Sequence, residues 1–175
     1  MQSTPSHQTL IGKKVTLQTF SEINLTPRYL EWLRNPELMK FSNQRFFNHS
    51  MDSSITYFNS FVNSDNFFFA IYHENTFVGT MTAYRSLVHG TADIGILIGD
   101  GEQGKGLGKD AWATLMAALL TIGTRKVTGG TLRCNDAMIR IMKGCGMQSD
   151  GVRIAQELVD GVPQDIMYFT KFGEQ

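Results

Sequence analysis

The chain has 175 residues, the length of one domain, since domains commonly hold roughly 100–200 residues. Apolar residues make up 42% and charged residues 18%, a globular balance and not a disordered or fibrous one. Lys plus Arg is 16 and Asp plus Glu is 16, giving a formal net charge of +0. That sum excludes the basic excess of a dedicated nucleic-acid binder or of a polybasic protein of the membrane surface.

The two cysteines, Cys134 and Cys145, are too few for a disulfide scaffold and do not form a CxxC pair, so no metal is expected. The first eight residues hold no charged region followed by an apolar run, so no signal peptide is expected. The longest greasy stretch, Trp112 to Gly123, is shorter than the ~20 residues of a membrane-spanning helix. The expectation is a cytoplasmic protein with neither a nucleic-acid nor a membrane partner, as a monomer or homodimer. It would have a flexible polar tail over 1–9 and one domain over 10–175.

In chain order, Val15 and Leu17 alternate with polar neighbours and predict a first strand. Thr26-Pro27 and Asn35-Pro36 each read as an N-cap followed by Pro at the first helical position, predicting short helices over 27–34 and 36–40. A third helix is expected from Asp52, with Ile55, Phe58 and Phe61 on one face. Phe67 to Tyr72 and Thr76 to Tyr84 form a hairpin through a three-residue connection, His73-Glu74-Asn75. Ala92 to Ile98 is another strand, ending at Gly99-Asp100-Gly101. The helix after Gly108 carries Trp112, Leu115, Met116 and Leu119 on one face. Lys126 to Leu132 reads as a strand interrupted by Gly129-Gly130. Asn135 caps a helix bearing Met138, Ile141, Met142 and Cys145 inward, with Asp136, Arg140 and Lys143 opposite and Gly144 and Gly146 at its end. Val152 to Val159, the turn Asp160-Gly161, and Asp165 to Phe172 close the chain as a hairpin. The order implies a mixed α/β (α+β) fold with a largely antiparallel sheet and one parallel crossover.

The chemistry concentrates in Gly99-Asp-Gly-Glu-Gln-Gly-Lys-Gly-Leu-Gly-Lys109, between a strand and a helix. Glycines there free backbone N–H groups for an anion, and the helix N-terminus adds positive potential. Gly99, Gly104 and Lys105 begin a nucleotide P-loop, but Gly106 stands where its Mg²⁺-holding hydroxyl belongs. Gly106, Gly108 and Ala111 match a dinucleotide fingerprint by spacing. The acid needed about 20 residues on is missing, because Asp136 opens a helix. The third pattern, [RQ]-x-x-G-x-[GA], is filled by Gln103 to Gly108.

With that loop, the preceding strand Ala92-Asp-Ile-Gly-Ile-Leu-Ile-Gly99, and Asn135 followed eleven residues later by Gly146-Met147, the chain resembles the GNAT superfamily of acyl-CoA N-acyltransferases over roughly residues 10–172. The resemblance implies a central sheet of about seven mostly antiparallel strands, with splayed central strands and flanking helices. It implies acetyl-CoA as donor. Ile96, Leu97 and Ile98 would pair with the pantetheine arm, and the amides of Gly104, Lys105, Gly106, Leu107, Gly108 and Lys109 would cradle the pyrophosphate. Gln103 would brace the loop or meet phosphate, and Asn135 would reach the pantetheine. Lys105, Lys109, Arg140 and Lys143 are candidate phosphate contacts.

Asp93 stands where many family members resembling this sequence carry Glu, and is the candidate general base, with His89 second. The position seven residues after Asn135, often a Tyr acid in the family, is Met142. Tyr168 or Tyr84 could serve instead, or the thiolate leaves without an acid; Cys134 as acyl carrier is a remote alternative. Eight of twelve Phe fall between Phe41 and Phe69. Among them Phe46 and Phe47, with Arg45 and His49 beside them, suit an acceptor site combining aromatic faces and polar groups. The segment Tyr29 to Met39 resembles two branches, one acting on nucleotide-linked amino sugars and one on N-termini of ribosomal proteins. The leading expectation is acetyl transfer to a small-molecule amine of the first kind, with the second or a non-catalytic CoA-binding module as alternatives. Residues 111–148 hold Arg125, Lys126, Arg133, Arg140 and Lys143 against Asp136 alone, and this basic excess is expected to converge on the loop.

Overall fold

The computed structural model describes residues 8–174, so positions 1–7 of the tail expected over 1–9 lie outside the described residues. Thr9, assigned to that tail, instead opens strand β1 (Thr9–Ile11), which pairs antiparallel with β2 (Thr16–Thr19). Three residues are too short to show alternation.

The helix grammar around the prolines is realised. Thr26 Oγ1 accepts from the Tyr29 amide at 3.2 Å to cap α1 (Pro27–Arg34). Asn35 Oδ1 accepts from the Glu37 amide at 2.9 Å to cap α2 (Pro36–Met39). A 3₁₀ turn at Asn43–Phe46 leads to α3 (Met51–Asn59), which starts at a Ser50–Ser53 capping box. This helix ends before Phe61, and Ile55 faces solvent, so the three-residue face expected for it does not exist.

Strands β3 (Phe67–His73) and β4 (Thr76–Ser86) join through two residues, Glu74 and Asn75, and not three. Both have positive φ, 46° and 66°, the twist-compatible geometry of a two-residue hairpin. Strand β5 (Thr91–Ile98) returns antiparallel to β4. The loop then leads into α4 (Leu107–Thr121), β6 (Lys126–Leu132), α5 (Asp136–Gly144) and the long hairpin β7 (Gln148–Val159) and β8 (Val162–Phe172).

The sheet has eight strands in the order β1-β2-β3-β4-β5-β6-β8-β7, antiparallel except for β5–β6. One face packs on α4 and α5 through Ile94, Trp112, Leu115, Met142 and Phe169. The other packs on α1 and its surroundings through Phe20, Tyr29, Trp32 and Phe68. Gly129-Gly130 does not interrupt β6. A methyl group on Gly129 would meet Trp112 at 2.6 Å, and one on Gly130 would meet Tyr168 at 2.9 Å. The pair therefore admits a large ring on each face of a continuous strand.

The feature that organises the molecule is where pairing stops. β5 is paired with β4 from Thr91 to Ile98, but with β6 only from Thr91 to Asp93. Beyond Asp93 the two parallel strands separate, leaving one edge of residues 94–98 without a strand partner.

Candidate active site

The loop after β5 is shaped by glycines that other residues would not replace. Gly101, Gly104 and Gly106 have φ of 76°, 77° and 78°, the left-handed region that glycine enters without penalty. Gly106 is the N-cap of α4, so the amides of that helix's first turn point out of the loop. Gly104, Lys105, Gly106 and Lys109 are exposed, which leaves that part of the loop accessible to a ligand, whereas Leu107 and Gly108 are buried. Gln103 Nε2 donates to the Ile98 carbonyl at 3.2 Å, tying the loop to the end of β5. Gly99 has Trp32 of α1 directly against it, where no side chain would fit.

The candidate phosphate lysines point elsewhere. Lys105 Nζ meets Glu102 Oε2 at 2.8 Å, and Arg28 meets the other oxygen of Glu102 at 3.3 Å. The Lys109 amine lies beside Gly144 of α5. Arg140 and Lys143 sit on the exposed face of α5. The expected convergence of basic residues is not found. Lys126 pairs with Asp150 at 2.7 Å, Arg133 with Asp165 at 2.8 Å, and Arg125 donates to the His89 carbonyl at 3.2 Å. The sequence reading missed Lys14, whose Nζ reaches the loop carbonyl of Lys105 at 2.9 Å. Ninety-one positions separate them, and no local signal connects a turn lysine to a loop that far along the chain.

At the splay lies a cavity of about 290 Å³ lined by Asp93, Gly95, Gly130, Thr131, Glu157 and Tyr168 among others. It holds both candidate catalytic residues. Asp93 accepts from Thr128 Oγ1 at 2.7 Å. Desolvation by the surrounding protein holds its carboxyl above the ordinary value, and the Thr128 hydrogen bond opposes that rise. Tyr84 stands opposite Asp93 in the β4–β5 register, and its hydroxyl is 2.8 Å from that of Tyr57. Burial, followed by its bond to Tyr84, pushes the Tyr57 hydroxyl well up, so it stays protonated. Met142 is fully buried in the core. His89 lies in the exposed turn between β4 and β5. The Asn135 side chain is committed on both sides, accepting from the Met138 amide at 3.2 Å and donating to Thr131 Oγ1 at 3.0 Å. Cys134 is exposed.

A second cavity of about 600 Å³ shares Gly95 with the first and lies under α1, α2 and α3. Tyr29, Tyr57, Thr80, Thr82, Tyr84 and Phe47 contribute to its wall, which holds no Asp, Glu, Lys or Arg. A third cavity, of about 1150 Å³, adjoins it and adds Arg34, Lys40, Arg45, Phe46 and the tip of the β7–β8 hairpin. Arg45, Phe46, Phe47 and His49 are thus gathered around these two cavities. Phe46 and Phe47 are 69% and 64% exposed, surface residues and not core. Arg45 has its guanidinium engaged, donating to the Ser42 carbonyl at 2.7 Å and the Leu158 carbonyl at 2.9 Å, over the ring of Phe46.

The accessible loop amides and the free edge of β5 fit a ligand that has a pyrophosphate at one end and an extended amide-bearing arm. Residues 14–148 match the family model described as an acetyltransferase (GNAT) domain. No curated protein matches the chain by sequence. Among solved structures, a RimL ribosomal L7/L12 alpha-N-protein acetyltransferase in complex with coenzyme A is similar with a TM-score of 0.84 and 14% identity, over 95% of this chain and 98% of that one. The spermidine N-acetyltransferase from Vibrio cholerae in complex with CoA and spermine gives 0.81 and 17%, over 91% and 95%. The microcin C7 self immunity acetyltransferase MccE in complex with acetyl-CoA and AMP gives 0.78 and 18%, over 91% and 93%. At these identities the likeness is one of fold. Among the described residues, no group of His, Cys, Asp and Glu could hold a metal ion, and no helix is long and apolar enough to cross a membrane.

Proposed function

The chain belongs to the GNAT family of acetyltransferases, and on that premise we propose that it transfers an acetyl group from acetyl-CoA to a primary amine by direct attack at the β5–β6 splay. The observation that carries this reading is the cavity holding Asp93 and Tyr168 where β5 parts from β6. The amides of residues 104–109 and the brace from Gln103 hold the pyrophosphate. The free edge of Ile96 to Ile98 pairs with the pantetheine arm, and Asn135, the N-cap of α5, reaches toward it. The coenzyme supplies an acetyl thioester, electrophilic at its carbonyl carbon.

Asp93 takes a proton from the acceptor amine, directly or through a water. Its raised carboxyl pKa makes it a better proton acceptor once ionised than an ordinary Asp. The nitrogen–carbon bond forms as the carbon–sulfur bond breaks. Tyr168, lining the same cavity, donates to the departing sulfur. Met142 has no proton to give and is packed against Gly129 and the core.

For the acceptor we infer a nucleotide-linked amino sugar. The cavity of about 600 Å³ has an uncharged wall of hydroxyls and rings, suited to a sugar. The adjoining cavity carries Arg34, Lys40 and Arg45 against Glu37 and Asp160, a basic excess of one that favours the phosphates. A protein N-terminus is the second reading, favoured by the likeness to the ribosomal-protein acetyltransferases.

The test is thiol release from acetyl-CoA with nucleotide-amino-sugars, N-terminal peptides and polyamines. Turnover with the first class is expected, and Asp93→Asn should lower kcat by roughly 100- to 10,000-fold. A wild type that binds coenzyme but turns over no amine would instead identify a non-catalytic module.

A further inference from the structure

The ammonium group that stands at the glycine loop comes from the other end of the chain. Lys14, in the turn between β1 and β2, donates Nζ to the Lys105 carbonyl at 2.9 Å. A methyl group on Gly106 would lie 3.2 Å from the same nitrogen. Gly106 is the N-cap of α4, so this charge sits where the helix amides emerge.

Its placement is fixed by the backbone. The amides of Lys13, Lys14 and Val15 donate to the Asp110 carboxylate at 3.2, 2.7 and 3.0 Å. The Lys14 carbonyl lies 2.8 Å from His73 Nδ1. Asp110 belongs to the first turn of α4, so the turn is fastened to the very helix end that the loop caps. A methyl group on Gly12 would come 2.6 Å from Asp110 Oδ2, so a glycine is needed for this close approach.

An ammonium has three donors, and the Lys105 carbonyl takes one. Two remain for a ligand. The other lysines near the loop are diverted, Lys105 to Glu102 and Lys109 to the end of α5.

We propose that Lys14 is a ligand for the coenzyme pyrophosphate, carried to the loop by the β1–β2 turn. The proposal rests on the coenzyme reading of the loop. Backbone amides alone bring partial charges to a dianionic group, and Lys14 adds a full one.

Calorimetric titration with CoA and with 3′-dephospho-CoA tests it, using the wild type, Lys14→Met, Lys14→Gln and Lys14→Arg. Lys14→Met is expected to weaken both ligands alike, by roughly ten- to a hundredfold, and to flatten the dependence of affinity on salt. Lys14→Gln keeps a donor for the Lys105 carbonyl and loses only the charge; it should weaken binding as Lys14→Met does. Lys14→Arg should recover most of the loss. Wild-type affinity in Lys14→Gln assigns Lys14 to the loop carbonyl alone and overturns the proposal. A loss confined to CoA moves the contact to the 3′-phosphate and also overturns it. A wild type that binds neither ligand overturns the coenzyme reading itself.

Discussion

Asp93 carries two opposing influences that can be separated by mutation. Desolvation raises its pKa and the Thr128 hydroxyl lowers it. The role proposed for it needs the ionised form, so the rate should fall as pH drops through its raised value. Thr128→Val removes the donor and keeps the shape. It should move the acid limb of the kcat/KM profile to higher pH, whereas a base located elsewhere would leave that limb in place. The same raised pKa has a stability sign. A carboxyl whose folded pKa exceeds its unfolded one is protonated more readily in the fold, so its ionisation opposes folding above that pKa. Asp93→Asn should therefore leave the melting temperature at neutral pH equal or higher while removing activity, and its advantage should shrink on acidification. A variant that is both dead and unstable at neutral pH would point to a structural role. The loop gives a sharper case. Gly106, the N-cap of α4, has φ of 78°. Gly106→Val should abolish coenzyme binding in calorimetry, because a β-branched residue is excluded from that conformation.

At the level of elements, the β7–β8 hairpin shows a bulge that the sequence does not announce. The register shifts between Arg153 and Glu157, and Ala155 sits at φ 49°. Its amide donates to Asp165 Oδ1 at 2.9 Å, while Arg133 Nε donates to Oδ2 at 2.8 Å. Those contacts, the Ala155 amide first, hold the Asp165 carboxyl below its ordinary value. The carboxylate form is thus the one that pins the bulge, and the pin is lost as pH falls through that lowered value. The bent strand reaches over the site, where Glu157 accepts from Asn43 at 3.0 Å and Leu158 from Arg45. Ala155→Gly removes the left-handed penalty of a Cβ, and should raise unfolding stability in denaturant by about 0.5–1 kcal/mol. What was legible here and what was not has a physical pattern. Thr26-Pro27, Asn35-Pro36 and Asn135 marked helix starts, because a cap is a contact between residues two or three apart. The extent of β7 and the bulge at Ala155 were not legible, because both are set by partners such as Asp165 and Arg133 across the sheet. The two-residue turn was hidden because Glu74 is an unusual occupant of positive φ.

At the scale of the molecule, the same distinction holds for the site. The glycine loop and Asp93 were readable, being local in sequence. The meeting of Asp93 with Tyr168, and of Lys14 with the loop, depends on sheet order and on Asp110 anchoring a distant turn. The whole architecture serves the parting of two strands. β5 is bonded to β4 along its length, but to β6 over Thr91 to Asp93 alone. One edge of residues 94–98 therefore carries backbone groups that no strand satisfies, although such groups are ordinarily paired. An extended amide-bearing ligand can complete that edge as an added strand. Hydrogen exchange tests this directly. Adding acetyl-CoA should slow exchange by tenfold or more in peptides covering 94–98 and 103–109. It should leave 148–152 unchanged, since that end of β7 lies at the far edge of the sheet beyond β8, away from the bulge that bends the strand over the site. Protection of the loop without the β5 segment would show that the pantetheine arm does not run along this strand, and would remove the splay from the mechanism. Uniform protection across the sheet would instead reflect global stabilisation by binding, with no particular role for the open edge.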